Sequence, residues 1–314
     1  MAFQLSPGVN VTEIDLTTVV PAVSTSVGAF AGVFRWGPVG ERILVDNETT
    51  LVKRFGKPTN FNSETWFTAA NFLAYGNNLN VVRAVGTNSF NADSNSSNTN
   101  TMIANKDVFQ YTLLNSNNNN QYGPFMARFP GALGNSLTVS VCPSGAAFTG
   151  WAYAASFSSA PGTSSFVNNL GGSSDEMHVA VIDAGGLFTG TKGTILETFG
   201  FLSKAIDATI NGASNYWKQV IFDQSKYVFA IDPPSYSSTS ATWGKTAAGT
   251  SFATLSNASY SNLGGGTDVA INDADLINAY SQFTNKEQID ISLVRSEEHT
   301  SELQSRLHLV CRLL

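Results

Sequence analysis

Three residues of this 314-residue chain have the side-chain types of a catalytic triad: Asp183, His178 and Ser251. In such a triad the aspartate orients the imidazole, the imidazole takes the serine proton, and the serine attacks the substrate. Asp183 ends the strand-like apolar run at residues 179–182, and Ser251 stands among the small residues 249–253. This arrangement would suit a serine hydrolase, provided that a histidine reaches the serine.

The sequence does not place a histidine where that chemistry requires one. The two runs resemble the aspartate strand and the nucleophile turn of subtilisin-type proteases, in which the histidine falls between the aspartate and the serine. No histidine stands between Asp183 and Ser251, and His178 lies on the same predicted strand as Asp183. A separation of five residues puts the two side chains on opposite faces of that strand. The sequence therefore predicts a protein that is not an enzyme and has no catalytic residues.

Two other motifs approach ligand sites without completing them. Residues 185–192 follow a predicted strand as a phosphate-binding loop would, but Lys192 falls one residue late for the G-x-x-x-x-G-K-[ST] pattern. Asp273 and Asp275 resemble the start of a calcium loop, but the required glycine and glutamate do not follow. We interpret the first motif as a turn, the aspartates as acids at a helix N-terminus, and Cys142 as a core residue. No metal or cofactor is predicted.

The low content of charged residues indicates a protein that contacts other subunits. Charged residues make up 13% of the chain, about half of the usual share of roughly 25%, and Asn, Ser and Thr take their place. Such surfaces suit contacts with other subunits, since Lys and Glu are depleted from protein interfaces. The net charge of −6 argues against a nucleic-acid partner. Without a long apolar run or a signal-like N-terminus, neither membrane insertion nor secretion is predicted.

The predicted elements that would position these residues alternate between strands and helices. Strand patterns cover residues 27–34, 43–45, 80–85, 137–141, 177–182 and 227–231. Helical spacing covers residues 64–75, 194–208 and 274–283, the second of these through Ile195, Phe199, Leu202 and Ile206. A strand, a helix and a strand joined by short connections predict an α/β layer. The fold class is therefore predicted to be mixed α/β.

Composition also divides the chain into segments. Residues 1–22 are predicted to be an extended arm, because strand-type side chains lie between a Pro-Gly turn and Pro21: Val9, Val11, Ile14, Val19 and Val20. Residues 23–86 are predicted to be the first part of a core. Residues 87–122 contain Asn-rich runs and are predicted to be a small, exposed, β-rich insertion. Residues 123–294 are predicted to complete the core.

The last twenty residues, 295–314, break with the composition before them. They are rich in Glu, Arg and His, whereas the preceding chain is poor in charge. Residues 295–305 coincide with a frame translation of a common sequencing-library adaptor. We therefore interpret residues 295–314 as adaptor-derived and expect the natural protein to continue differently after Val294, so that the core is truncated.

Several motifs resemble the tail sheath proteins of contractile-tailed bacteriophages, and in particular T-even-type myovirus sheaths. The similar segments are spread over residues 1–294 and comprise residues 5–13, 27–38, 55–58, 72–77, 81–84, 129–135 and 263–268. The N-terminal block is the most specific of them. The resemblance implies a subtilisin-like core domain that lacks the catalytic set, which fits the incomplete triad described above.

The resemblance also implies a function. Sheath subunits form a helical homopolymer of hexameric rings around an inner tail tube protein, between a baseplate and a tail terminator. Their contraction drives the tube through the host envelope, and extended arms add strands to the sheets of neighbouring subunits. Strand addition would fall here on Val9, Val11, Ile14, Val19 and Val20. The protein is expected in the virion tail after synthesis in the host cytoplasm.

Three alternatives remain open on the sequence alone. The first is the sheath of a related contractile injection system, which neighbouring genes would distinguish. The second is a subtilase-like serine hydrolase, which a fluorophosphonate label on Ser251 would reveal. The third is a binding module or adhesin, which only the Asn-rich insertion suggests.

Overall fold

The computed structural model describes residues 27–95, 100–114, 121–234 and 241–296. Within these ranges the strands are β1 (Gly28–Val33), β2 (Arg42–Val45), β3 (Leu79–Ala84), β4 (Phe125–Ala127), β5 (Leu137–Cys142), β6 (Glu176–Asp183), β7 (Thr194–Ser203), β8 (Thr209–Ile210), β9 (Ala213–Ser214), β10 (Val228–Ala230), β11 (Ser259–Asn262) and β12 (Leu293–Arg295). The α-helices are α1 (Glu48–Phe55), α2 (Ser63–Leu73), α3 (Lys106–Thr112), α4 (Gly145–Phe148), α5 (Ser165–Asn169), α6 (Trp217–Gln224) and α7 (Asp273–Ser281). The fold is of the mixed α/β class, as predicted, and none of the described helices is long and apolar enough to span a membrane.

Four strands in the order β12-β1-β3-β2 form what we call the first sheet. β1 runs parallel to β3 and to β12, whereas β2 is antiparallel to β3. Parallel neighbours need a long crossover, and α1 and α2 lie within the connection that leads from β1 to β3. Every residue of β3 is buried, because helices cover both faces of this sheet.

The two faces of the first sheet are covered by different helices. Phe30 and Val81 pack against α1 and α2, with Trp66 and Phe72 as the large side chains of α2. On the opposite face, the small side chains of β1 and β3 allow α7 to approach, with Ala279 and Phe283 among its contacts: Ala29, Ala31, Val82 and Ala84. β1, β3, α2 and α7 confirm the strands and helices predicted from the spacing of apolar residues.

The start of α7 also confirms an interpretation made from the sequence. The amide side chain of Asn272 accepts a hydrogen bond from the Asp275 N–H, and the Asp275 carboxylate accepts one from the Asn272 N–H, each 3.0 Å long. This reciprocal pair is a capping box, and a further acid, Asp273, lies in the first turn. The acids at 273 and 275 therefore serve the helix N-terminus.

Four antiparallel strands in the order β11-β5-β6-β7 form the second sheet. Its inner face carries Val139 and Val181 into the largest core, where Trp217 and Ile221 of α6 cover them. Residues of its other face pack under the segment 145–157: Cys142, Ala180 and Ile182. Cys142 is fully buried, which confirms its interpretation as a core residue.

The helix predicted over residues 194–208 is wrong, because residues 194–203 form the strand β7. The register of β7 shifts against β6 at two places. At one of them β7 carries an extra residue, since Leu202 pairs with Met177 whereas Phe199 pairs with Val179. Phe201 absorbs this bulge with a positive φ of 55°. The bulge turns Phe199 and Leu202 to the same side of the strand although they are three residues apart. Apolar residues at that separation are also typical of a helix, which explains the wrong prediction.

The segment 87–122, predicted to be exposed and β-rich, is helical and partly buried where the structure describes it. Phe109 on α3 is fully buried and stacks on Phe229 with 3.9 Å between ring centroids. Ile103 and Leu113 join the same cluster, together with Phe222. The predicted boundary at residue 122 therefore runs through a shared core, because apolar residues between the Asn runs find partners about a hundred residues away.

Two segments of the chain, residues 90–93 and 264–267, connect the first sheet to the second. Phe90 N donates to Thr267 Oγ1, and Thr267 N donates to the Phe90 carbonyl, each over 3.1 Å. Further on, Asp93 and Gly264 exchange two backbone hydrogen bonds of 2.9 Å. The chain therefore leaves the first sheet through residues 90–93 and returns to it through residues 264–267, and these two segments lie side by side.

Candidate functional site

The five residues predicted to add strands to neighbours lie outside the described residues: Val9, Val11, Ile14, Val19 and Val20. The described chain begins at Val27, whose carbonyl accepts hydrogen bonds from Ser292 N at 2.9 Å and Leu293 N at 3.2 Å. Val27 therefore lies at the first sheet, beside the start of β12. The assignment of the arm stays a prediction.

Asp183 holds a turn together and offers no free carboxylate oxygen to a histidine. Its oxygens accept hydrogen bonds from Ser136 Oγ at 2.5 Å, from Phe188 N at 3.0 Å, and from the backbone and hydroxyl of Thr189 at 2.8 and 2.9 Å. Burial opposes its charge, but these bonds hold the pKa of Asp183 below its usual value. The glycine-rich residues 185–192 therefore form a turn around Asp183, as interpreted, although a strand follows them.

His178 is a packed core residue with both ring nitrogens engaged. Nδ1 accepts a 3.0 Å hydrogen bond from Phe201 N, so Nε2 carries the proton that it donates to the Ser159 carbonyl at 2.8 Å. The ring stacks on Phe157, with 4.4 Å between centroids and 2° between planes. Burial lowers the pKa of His178. The imidazole has no lone pair left with which to deprotonate a serine.

Ser251 contacts neither of the other two triad candidates. Its hydroxyl lies 3.0 Å from that of Ser173, and Ser173 and Ser251 form a parallel β-bridge. Backbone bonds from Ser173 N to Thr250 O and from Phe252 N to Ser173 O, 3.0 and 2.9 Å long, hold this contact. The structure therefore leaves Asp183, His178 and Ser251 in three separate environments.

Arg83 is a buried junction residue that sequence reasoning missed. It is 1% exposed on β3, and its guanidinium donates to the carbonyls of Phe34 at 2.7 Å, Gly37 at 2.9 Å and Pro130 at 2.8 Å. Burial lowers its pKa to about 10, against the opposing effect of Asp268. Arg83 thus ties the end of β1 and the following turn to the start of the second-sheet region.

The same junction brings together the motifs at 129–135 and 263–268. Asn135 and Gly266 exchange two hydrogen bonds, 2.9 Å to the Gly266 carbonyl and 2.8 Å from its N–H. A side chain at Gly266 would place its Cβ 2.6 Å from the Gly131 carbonyl, and Gly131 itself has a φ of 128°. These contacts require glycine at both positions. One junction between the first sheet and the second-sheet region is therefore built from four segments that lie far apart in sequence: 27–38, 81–84, 129–135 and 263–268.

A second buried polar network, also missed from the sequence, lies under the second sheet. Lys204 Nζ donates to the carbonyls of Pro143 at 2.7 Å and Ser174 at 2.8 Å. Burial lowers its pKa to about 8, while Asp175 acts in the opposite direction. The Asp175 carboxylate accepts bonds from the hydroxyls of Ser164 and Ser203 at 2.8 and 2.5 Å. No sequence pattern distinguishes these residues, because their partners come from distant segments.

Four outer strands could accept an added strand. They are β2 and β12 at the edges of the first sheet, and β7 and β11 at the edges of the second. Each exposes at least one large side chain: Leu44 at 59%, Leu293 at 42%, Ile195 at 37% and Tyr260 at 53%. Within the described ranges no further strand pairs with these edges, and such edges present unpaired backbone groups to another chain.

Parts of this chain are similar to tail sheath proteins of known bacteriophages. Residues 25–84, which contain β1 to β3, match the family model of the tail sheath protein Gp18 domain III N-terminal region. The tail sheath protein of Enterobacteria phage T4 is 46% identical over 81 residues, which are 26% of this chain and 12% of that protein. The tail sheath protein of Salmonella phage ViI is 32% identical over 195 residues, which are 62% of this chain and 28% of that protein.

Two solved sheath tail proteins also align with most of the chain. A sheath tail protein from Listeria innocua aligns with a TM-score of 0.44 and 15% identity, covering 90% of this chain and 43% of that chain. A sheath tail protein from Desulfitobacterium hafniense aligns with a TM-score of 0.44 and 11% identity, covering 97% of this chain and 48% of that chain. The chain spans less than a third of the length of the T4 and ViI relatives. Over these segments the chain is similar to bacteriophage tail sheath proteins.

Proposed function

We propose that this chain is a structural subunit of a contractile phage tail sheath. It polymerises around the inner tail tube, and its contraction drives the tube through the host envelope. The observation that carries the proposal is the match of residues 25–84 to the tail sheath family model, because β1, β2 and β3 within these residues build three of the four strands of the first sheet. The baseplate, the tail terminator and the tube protein are the proposed partners, and the virion tail is the proposed location.

The proposed coupling between subunits is strand addition by residues 1–22. A lone strand gains its backbone hydrogen bonds only from another sheet edge, and the edges β2, β7, β11 and β12 are available on a neighbouring copy. The weakly charged surface supports exchange of contacts, because few charges would be stranded when subunits move. Val11 is one of the five residues of the arm that are predicted to pair with a neighbouring sheet, and a substitution there tests the proposed ladder.

We also propose that the protein does not hydrolyse peptide bonds. Nucleophilic attack by Ser251 would need a base within about 3 Å of its hydroxyl. The described neighbour at that distance is Ser173, a hydroxyl without basic character. His178 and Asp183 are each engaged by other groups, which supports a purely mechanical role.

Electron microscopy of the intact gene product tests the assembly proposal. Protein carrying residues 1–22 should form regular tubes, and protein lacking them should not. Val11→Pro should also abolish tubes, because proline removes a backbone donor from the ladder. Val11→Thr is the matched control, since threonine keeps the donor and the β-branched shape. Tubes formed without residues 1–22 would contradict the role of the arm, and no tubes from any form would contradict the sheath function.

A further inference from the structure

The turn between β8 and β9 consists of an asparagine followed by a glycine, Asn211 and Gly212, and no other asparagine of the chain is followed by glycine. The two residues form the whole loop of the hairpin, because Ile210 pairs with Ala213. Their φ angles are 52° and 83°, which is the left-handed backbone that a two-residue type I′ turn requires at both positions. The turn thus places an asparagine side chain directly before a backbone nitrogen that no side chain shields.

The surroundings of this turn leave both groups open to solvent. Every residue of β8, the turn and β9 is exposed. Within the described ranges, neither the Asn211 carboxamide nor the Gly212 N–H has a hydrogen-bond partner. A Cβ built at Gly212 would meet no atom within 4 Å. The fold therefore neither blocks this turn sterically nor engages its amide groups.

The hairpin is also a weakly held element. β8 and β9 contain two residues each and form a separate two-stranded sheet in the described part of the chain. A hairpin of this kind is marginally stable, so its local opening requires little free energy. Opening permits the rotation about the Cα–C bond of Asn211 that brings the Gly212 nitrogen to the side-chain Cγ.

We propose that Asn211 is a site of spontaneous deamidation through a cyclic imide formed with Gly212. The Gly212 nitrogen gives its proton to hydroxide and attacks Asn211 Cγ, so that a new C–N bond forms. The C–N bond to the side-chain NH2 breaks, and that group leaves as ammonia. Water then opens the imide at one of its two carbonyls, which leaves either aspartate or isoaspartate. The net reaction consumes one water and releases one ammonia without oxidation or reduction, and it does not depend on the proposed function.

Isoaspartate would change the hairpin and not only its charge. Its main chain runs through Cβ, so the turn gains a backbone atom and no longer has the two-residue geometry that pairs Ile210 with Ala213. At the base of the hairpin, Asn215 N donates to the Ala208 carbonyl at 2.8 Å, and the Asn215 carbonyl accepts from Ser203 N at 2.9 Å. Since Ser203 ends β7, the modification loosens a segment that is bound to the end of an edge strand.

Mass spectrometry of the aged chain tests the proposal. The full chain is incubated at pH 7 and at pH 8, digested with trypsin, and followed through the peptide 205–218, which contains both Asn211 and Asn215. Conversion of Asn211 should be about tenfold faster at pH 8, since the deprotonated fraction of a weakly acidic nitrogen rises by that factor per pH unit. Asn215 is the internal control and should stay intact, because it is buried and its Nδ2 donates to the Phe201 carbonyl at 2.8 Å.

The same measurement in urea separates the effect of the fold from that of the dipeptide. Conversion of Asn211 in the native chain should be within about tenfold of its rate in the unfolded chain, because the hairpin opens readily. Hydrogen exchange of residues 205–218 should rise in the aged wild type and stay low in aged Asn211→Gln and in fresh Asn211→Asp, which has the charge without the isoaspartate backbone. A native chain that keeps Asn211 intact while the unfolded chain converts it overturns the proposal, as does equal conversion of Asn211 and Asn215.

Discussion

The guanidinium of Arg83, on β3, donates a 2.8 Å hydrogen bond to the carbonyl of Pro130, forty-seven residues further along the chain. The same side chain holds the carbonyls of Phe34 and Gly37. One buried cation therefore joins the first sheet, the turn after β1 and the beginning of the second-sheet region.

Replacing Arg83 by Met should destabilise the protein by about 3 to 5 kcal/mol, because three buried carbonyls lose their donor. Urea unfolding followed by circular dichroism measures the change. The matched control is Arg54→Met, which alters an exposed arginine and should change the free energy of unfolding by less than about 0.5 kcal/mol. Equal stability of the two variants would show that Arg83 does not hold the junction.

Replacing Phe109 by Ala should cost about 3 to 5 kcal/mol, because the ring is fully buried against Phe229 and Phe222. Tyr111→Ala lies two residues away on the same helix, but Tyr111 is 88% exposed, so this control should have little effect. The two variants can be compared by thermal unfolding. A small effect of Phe109→Ala would restore the view that residues 87–122 are a peripheral insertion.

Lys204 should make stability depend on pH. Burial lowers its folded-state pKa to about 8 from its ordinary value of 10.5, so the unfolded state binds its proton more tightly. Between these two values stability should rise with pH by about 3 kcal/mol in total, and this gain should be lost as the pH falls through 8. Subtracting the unfolding free energy of Lys204→Met at each pH isolates the effect of this side chain. A difference that stays constant from pH 7 to 10 would contradict the assignment.

Ser251 should show no nucleophilic reactivity. A fluorophosphonate probe should leave the protein unlabelled under conditions that label a control serine hydrolase completely, since no base contacts the Ser251 hydroxyl in the described structure. Ser251→Ala should behave like the wild type in stability and assembly. Labelling that disappears in Ser251→Ala would establish a hydrolase function and overturn the structural proposal.

The local elements were largely predictable from the sequence, because they depend on the spacing of nearby residues. β1, β3, β5, β6, α2 and α7 follow from apolar runs and from i, i+3, i+4 patterns. β7 was mistaken for a helix because the bulge at Phe201 gives Phe199 and Leu202 a separation of three residues on one face. A bulge depends on the partner strand, and the sequence of β7 alone does not reveal that pairing.

The long-range contacts could not be predicted in the same way. The sequence predicted that Asp183, His178 and Ser251 do not form a triad, and the structure places them in three separate environments. The partners of Arg83 and Lys204 could not be inferred, because a buried cation has the same sequence signature as an exposed one. α3 was hidden between two Asn runs, whose composition outweighed the apolar residues that reach Phe222 and Phe229.

The central claim, that this chain forms part of the tail sheath of a virion, is tested most directly by immunoelectron microscopy. Antibodies raised against residues 27–294 would be applied to particles of the phage whose genome encodes the chain. We expect gold label at regular intervals along the outside of the tail between head and baseplate. Label confined to heads, baseplates or fibres, or absent from intact particles in which the antibody detects the denatured chain, would contradict the account.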